Sequence, residues 1–385
     1  MARRIQMKSV CPWYKVESTV IIQGRQGKSH LIADPDGIAE TLLTLLNGDY
    51  TPEEIIHTMT SRFESTTTAD VEEALKEFLH LGLLETTSSS SPSWDPYQID
   101  RYSRNLGFFE LYATLEDSKY AFQERLFDAR IAVLGLGGVG SHVALSLVGM
   151  GVGHLTILDY DTVELSNLNR QILYSEEDLG RSKVELAAKR LAQFGTRTTI
   201  TAHEKQIDSA AAVHDVVAAH DLVIAAVDRP KTRIVSWVNQ GCVNANVPFL
   251  TGGVDRDRAF IYSIIPGVTG CVDCWTRQVE QTDPLAPQLR EQMVAWEMNG
   301  RRFGEDRAAI YPLVALQAAA ITAEVIRLIC RLAPSVTAGR MIATGFDDFV
   351  PHETERWSRD ATCPTCSGAR AERLPETVAW VGQPV

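Results

Sequence analysis

The stretch RIAVLGLGGVGSHVALSLVGMGVGHLTILDYDTVELSNLNRQILYSEEDLGRSKVE, Arg130 to Glu185, decides the fold. Its first apolar run, Ile131 to Leu134, has the length of a buried strand. Gly135, Gly137, Gly138 and Gly140 follow that run and open a helical segment. In this arrangement bare backbone N–H groups and the positive end of a helix dipole face one point, which suits a phosphate. A second apolar run, HLTILD, ends at Asp159, where a carboxylate can accept hydrogen bonds from ribose hydroxyls. The unit predicts an α/β fold, a Rossmann-like doubly wound sheet with a nucleotide at the carboxyl ends of its strands.

A glycine loop followed by such an acid serves NAD or FAD as well as ATP. Arg170 in NLNRQ and Lys183 in GRSKVE shift the balance to ATP, whose tail carries negative charge that these cations can clamp as it leaves. Either cation alone reads as a solvated helix face; the two together with the loop do not.

GxGGxG, then D-x-D-x-V-x-x-x-N-L-x-R-Q, then G-x-x-K together resemble the ThiF, MoeB and ubiquitin-activating superfamily of adenylating enzymes. The resemblance extends to RYSRN (101–105), DLVIAAVD (221–228), NQGCVNANVPFLTGG (239–253), GCVDCW (270–275) and TCPTCSG (362–368). It implies that Asp159 binds the ribose, and that Asp161, Asn167, Arg170, Gln171 and Lys183 surround the base, ribose and phosphates. It also implies that Asp228 holds Mg²⁺ and that Arg104 reaches across a homodimer into the other subunit's ATP site. A physical reading of Asp228 agrees, because a carboxylate at the end of a continuous apolar strand is a hard oxygen donor where doubly wound sheets bind ligands. Read blandly, it is the N-cap of the next helix.

Four of the seven cysteines form two CxxC pairs, Cys271 with Cys274 and Cys363 with Cys366. Two thiolates from each of two distant segments make a closed tetrahedral set, the geometry of structural zinc. The amino terminus lacks an apolar h-region and reads as carrying no export signal, so a reducing, cytoplasmic setting and no disulfides are expected. Cys11, Cys242 and Cys330 read as core residues. No cysteine lies between Trp275 and Arg307, where the resemblance would put a transfer nucleophile, so thioester transfer is not expected.

Residues 1–86 read as a separate unit: a β-hairpin from Trp13–Gln23 and Lys28–Ala33, then helices over 37–46, 52–63 and 69–84. Residues 87–96, ETTSSSSPSW-like in composition, read as a Ser/Pro linker, and 97–385 as the adenylating domain. The order of elements in 1–86 resembles the PqqD-type winged helix, a recognition module for ribosomal precursor peptides. Acidic residues on the third helix (Asp70, Glu72, Glu73, Glu77) and a net charge of −12 argue against nucleic acid as a partner. No run approaches eighteen uninterrupted apolar residues, so no membrane span is expected.

Such a module ahead of such a domain resembles the MccB-like (microcin) and PaaA-like (pantocin) peptide-modifying groups. The expected chemistry is ATP-dependent activation of a carboxyl or carboxamide of a precursor peptide, with the nucleotide retained or the peptide cyclised. Three alternatives stay open: adenylation of a ubiquitin-like sulfur-carrier protein, which would use the same nucleotide residues; a tRNA-modifying dehydratase, which the acidic balance disfavours; and a non-catalytic escort of leader peptides, which would have no need of Arg104, Asp159, Arg170, Lys183 and Asp228 together. Residues 282–307 read equally as a cover whose Arg290, Arg301 and Arg302 meet acidic substrate groups and as a solvated surface helix.

Overall fold

The computed structural model describes residues 4–87, 94–300 and 308–369, and the chain divides into two compact units, Met1–Arg125 and Leu126–Val385. The first runs β1 (Ile5–Met7), β2 (Trp13–Val16), β3 (Thr19–Gln23), β4 (Ser29–Ala33), α1 (Ile38–Leu45), α2 (Pro52–Arg62), α3 (Thr68–His80), β5 (Leu84–Thr86), α4 (Pro96–Arg101), α5 (Ser103–Glu110) and α6 (Lys119–Asp128), which crosses the division.

The stretch 13–23 is two strands rather than one, because Glu17 takes a positive φ of 53° and turns the chain without Gly or Pro. β2, β3 and β4 form one antiparallel sheet, and β1 pairs with β5. Helices α2 and α3 start at capping boxes, Thr51 with Glu54 and Thr67 with Asp70, each satisfying orphan N–H groups of the first turn. α3 ends at His80 instead of continuing to 84. Gly82, at φ +69°, lets the chain turn back so that Leu84–Thr86 joins β1. Ile22, Ile55, Met59 and Leu83 are fully buried in the resulting core.

Residues beyond the 87–96 segment also belong to this unit. Glu110 accepts hydrogen bonds from the Ser9 N–H and hydroxyl, and Lys119 pairs with both Glu85 (3.2 Å) and Glu110 (2.9 Å). The compact division falls at 125/126; residues 88–93 of the segment that composition marks as a tether lie outside the described residues.

The second unit continues β6 (Arg130–Leu134), α7 (Gly138–Gly149), β7 (His154–Asp159), α8 (Lys183–Phe194), β8 (Thr199–Glu204), α9 (Ala210–Val217), β9 (Leu222–Ala225), α10 (Ile234–Asn244), β10 (Phe249–Asp255), β11 (Arg258–Ile264), α11 (Val272–Thr282), α12 (Ala286–Met298), α13 (Tyr311–Cys330), β12 (Arg340–Gly345) and β13 (Pro351–Arg356). One eight-stranded sheet has the order β13-β12-β11-β10-β9-β6-β7-β8. β8, β7, β6, β9 and β10 are parallel, and β11 to β13 extend the sheet antiparallel. The buried strands β6 and β9 are continuous apolar runs, as a sheet covered on both faces requires.

From β6 the chain winds outward to β7 and β8, then returns to β9 on the other side of β6. The carboxyl ends of β6 and β9 thus flank a topological switch point, where open α/β sheets bind ligands.

By length and hydropathy alone α13 would span a membrane, with 20 residues and a mean hydropathy of 1.8. Its apolarity instead serves packing. Half of it is buried in the protein, Val314 meets Gly138, and Gln317 donates to the Phe260 carbonyl.

Candidate functional site

An open cleft of about 490 Å³ sits at the switch point, lined by Gly135, Gly137, Leu158, Asp159, Tyr160, Asp161, Ile207 and the segment Ala226–Arg229. Its lining combines the carboxylates Asp159, Asp161 and Asp228 with the apolar Leu158, Ile207, Val227 and Ile234.

The glycine loop is fixed by tight contacts. Gly135 has φ +91°, a conformation that disfavours any side chain, and a Cβ on it would meet the Ala226 carbonyl oxygen at 2.4 Å. A Cβ on Gly140 would stand 1.8 Å from the Gly135 oxygen. Gly137 differs. It is the N-cap of α7 with an ordinary φ of −69°, and among the described residues nothing lies within 3.8 Å of its Cβ position. No protein contact demands glycine there; its bareness opens the cleft at the helix's positive end. Gly138, at the first helical position, packs under Val314 and the Arg170 stem.

The peptide of Leu136, in the middle of the loop, is held from both sides. Its N–H donates to Asp159 Oδ2 at 2.6 Å, and its carbonyl accepts from the Tyr174 hydroxyl at 3.0 Å. The other oxygen of Asp159 accepts the Asp161 N–H at 2.8 Å. Burial raises the Asp159 carboxyl above the ordinary carboxylate value, although the Asp161 and Leu136 N–H groups and the nearby Lys183 ammonium oppose the rise. Each oxygen keeps a lone pair for a further donor.

Lys183 begins α8 and is only 5% exposed. Its ammonium lies 3.2 Å from Asp161 Oδ2, itself at the cleft wall. A buried cation at the positive end of a helix opposes the dipole, an arrangement that favours recruitment of an anion.

Arg170 lies against Gly138. Its guanidinium donates to the Ser166 carbonyl (3.0 Å) and Asn169 Oδ1 (2.8 Å), and among the described residues no carboxylate pairs with it. Gln171 is buried with Nε2 3.8 Å from the Gly137 Cβ position, while its Oε1 lacks a protein partner. Asn167 is turned inward: its carbonyl accepts the N–H groups of Arg170 and Gln171, and its Oδ1 accepts that of Glu164.

Asp228 is exposed on the cleft rim, three residues past β9 and beside the glycine loop across the β6–β9 pair. Arg104 lies exposed on α5 in the first unit. Arg301 and Arg302 lie outside the described residues.

Sequence reasoning missed Tyr174, which clamps the loop from 38 residues away. It also missed His142, whose Nε2 contacts the Arg170 carbonyl at 3.3 Å while its ring packs edge-on against Tyr311. Burial lowers the His142 imidazole below its ordinary value. Neither residue belongs to a local motif; only the fold brings them to the loop.

The four CxxC cysteines converge. All are buried, and their sulfurs lie within 4.8 Å of one another, with near pairs at 3.4, 3.7 and 4.0 Å. A tetrahedral ion with metal–sulfur bonds of ~2.3 Å spaces its sulfurs by ~3.8 Å, so the set fits a metal ion. Arg359 braces the cluster through the carbonyls of Gly267, Cys366, Ser367 and Ala369. Cys242 and Cys330 are buried within or at the end of helices, and Cys11 is buried as well.

The model of the ThiF family matches residues 102–364. Over 278 residues the chain is 31% identical to the sulfur carrier protein ThiS adenylyltransferase of Escherichia coli, covering 71% of this chain and 96% of that protein. It is 42% identical over 134 residues to molybdopterin-synthase adenylyltransferase of Salmonella typhimurium, 35% of this chain and 53% of the relative. The chain thus spans only about half the length of that relative. Among solved structures, E. coli MccB crystallised with AMPCPP and MccA shares the fold, with a TM-score of 0.74 and 22% identity. The match covers 94% of this chain and 99% of MccB. PaaA is similar at a TM-score of 0.68 and 21% identity, over 91% of this chain and all of PaaA.

Proposed function

Since this chain belongs to the ThiF family, an enzyme family whose matched relatives are adenylyltransferases, we propose that it uses Mg-ATP to activate a carboxyl or carboxamide group of a ribosomally made precursor peptide. The observation that carries this reading is the convergence, at the switch point, of a bare helix N-terminus at Gly137, the carboxylates of Asp159 and Asp228, and the buried cation Lys183.

In this reading the nucleoside enters the apolar side of the cleft and its ribose hydroxyls donate to Asp159. The α-phosphate meets the N–H groups at the start of α7. Asp228 has no protein partner among the described residues and suits a hard cation that bridges phosphates. Mg²⁺ bound there would supply charge neutralisation at the tail. A peptide carboxylate oxygen attacks the α-phosphorus in line, the bond from that phosphorus to the bridging oxygen breaks, and pyrophosphate leaves. The residues position groups and stabilise charge, with no proton transfer required. Lys183 leaves Asp161 for the departing pyrophosphate, joined by Arg170 and by Arg104 of the partner subunit in a homodimer. The four-cysteine site holds zinc and ties the segment carrying Cys363 and Cys366 to α11.

The peptide reading rests on the first unit. β2 and β4 each pair on one side only among the described residues, and β4 exposes Leu31 at 70%, so an extended leader can add as a further strand. Similarity to MccB, crystallised with MccA, extends over this unit as well as the ThiF domain. The likeness to the ThiS adenylyltransferase favours a sulfur-carrier protein as the second reading.

Incubating the full chain with Mg-ATP and the peptide encoded by a short neighbouring reading frame separates the two. Pyrophosphate release with a mass change of the peptide supports the first reading. Release only in the presence of a folded carrier ending in Gly-Gly supports the second, and release with neither contradicts both.

A further inference from the structure

The helix α12 buries none of its residues, and Leu285, Leu289 and Met298 at or near it are exposed. One of its side chains is nevertheless engaged. Glu297 accepts the Lys231 N–H at 2.7 Å on one carboxylate oxygen, and the Thr232 N–H at 3.0 Å and the Thr232 hydroxyl on the other. Burial would raise this carboxyl; the bonds from Thr232 and Lys231 outweigh it and hold the group below the ordinary value, so the charged form makes the contact.

Lys231 and Thr232 are the crown of the segment that links β9 to α10. Both shoulders of that segment line the nucleotide cleft, Ala226 to Arg229 on one side and Ile234 on the other. Asp228 is three residues before the first of the two amides. A carboxylate on the N–H groups preceding a helix is also favoured by the helix dipole, so the contact fastens the crown of this loop. We infer that Glu297 is a positioning residue: from the segment between the two cysteine pairs it fixes the 226–233 loop so that Asp228 meets metal-bound nucleotide. The inference rests on the Mg-ATP reading of the cleft. It makes α12 part of the nucleotide site without contact with nucleotide, and couples that helix to the carboxylate assigned to the metal.

The test is nucleotide binding by the full chain, measured by calorimetric titration with Mg-ATP and again with ATP in buffer free of Mg²⁺, beside a thermal melt. Glu297→Ala removes all three bonds. Losing charge-assisted hydrogen bonds of this kind predicts about a tenfold weaker Mg-ATP affinity, with metal-free ATP affinity and melting temperature essentially unchanged. Glu297→Gln, which keeps one acceptor oxygen, should recover part of the loss. Equal weakening with and without Mg²⁺, or no weakening at all, overturns the positioning role. Should Glu297→Ala fail to fold, Thr232→Val removes only the hydroxyl donor and carries the same prediction at about threefold. A wild-type chain that binds no nucleotide would instead overturn the ATP reading itself, and the inference with it.

Discussion

Alanine substitutions at Gly140 and Gly137, three residues apart in the same loop, should behave in opposite ways. In Gly140→Ala the new Cβ stands 1.8 Å from the Gly135 oxygen, where real Cβ contacts stay beyond 3.0 Å. The loop must retreat by more than about 1 Å, since the neighbour is backbone and cannot rotate away. That movement breaks the 2.6 Å bond from Leu136 to Asp159 and the 3.0 Å bond from Tyr174 to Leu136. A buried bond to a carboxylate contributes ~1.5–3 kcal/mol and a neutral one ~1 kcal/mol. Alanine's better helix propensity returns up to ~1 kcal/mol. The net loss is about 2 kcal/mol, or roughly 6 °C in the melting temperature of a unit this large. Gly137→Ala meets nothing within 3.8 Å among the described residues and costs about 0.5–1 kcal/mol as an N-cap change. Its methyl group, however, points into the phosphate cradle, and losing two charge-assisted contacts there weakens Mg-ATP binding about a hundredfold. Thermal melts and calorimetric titration of both variants give the readout. A Gly137→Ala chain that binds Mg-ATP like wild type, or a Gly140→Ala chain that melts like wild type, would refute this account of the loop.

Metal analysis should find about one zinc per chain, and Cys363→Ser should lose it together with several degrees of melting temperature; an unchanged melt would mean that the thiols hold no structural ion. Because burial raises the Asp159 carboxyl, its proton arrives on acidification sooner than on an ordinary Asp near pH 4. Nucleotide affinity should therefore fall as pH drops through a range above that value, while this group's contribution to stability runs the other way, being largest once protonated and declining as pH rises through its folded value. An affinity flat down to pH 4 contradicts the assigned ribose contact. Mixing Arg104→Ala with Lys183→Ala, each inactive alone, should restore about a quarter of wild-type pyrophosphate release if subunits exchange, because one site in each hybrid dimer is intact. No recovery from such hybrids would refute the cross-subunit role of Arg104.

What could be read in the sequence was what lies close along the chain. Gly135, Gly137 and Gly140 follow a strand and open a helix, Asp159 ends the next strand, and the paired CxxC spacing foretells four converging thiols because each pair occupies one turn. Turns without Gly or Pro escaped, as at Glu17, where a bend splits one expected strand into two. The end of α3 was read too late, because Leu83 and Leu84 continue its apolar pattern although Gly82 redirects them into a strand. Partners brought together only by the fold were illegible. Tyr174 reaches Leu136 and Glu297 reaches Lys231 across gaps that no local pattern spans. For the same reason the bonds by which Glu110 and Lys119 join α5 and α6 to Ser9 and Glu85 were out of reach.

The most direct test is a crystal structure of the full chain with Mg²⁺ and a non-hydrolysable ATP analogue. The account predicts the α-phosphate at the N–H groups beside Gly137, the metal on Asp228, and the Lys183 ammonium swung from Asp161 to the phosphate tail with the Arg170 guanidinium beside it. A bound nucleotide whose tail leaves both cations where they now lie, one on Asp161 and the other on Ser166 and Asn169, would contradict it.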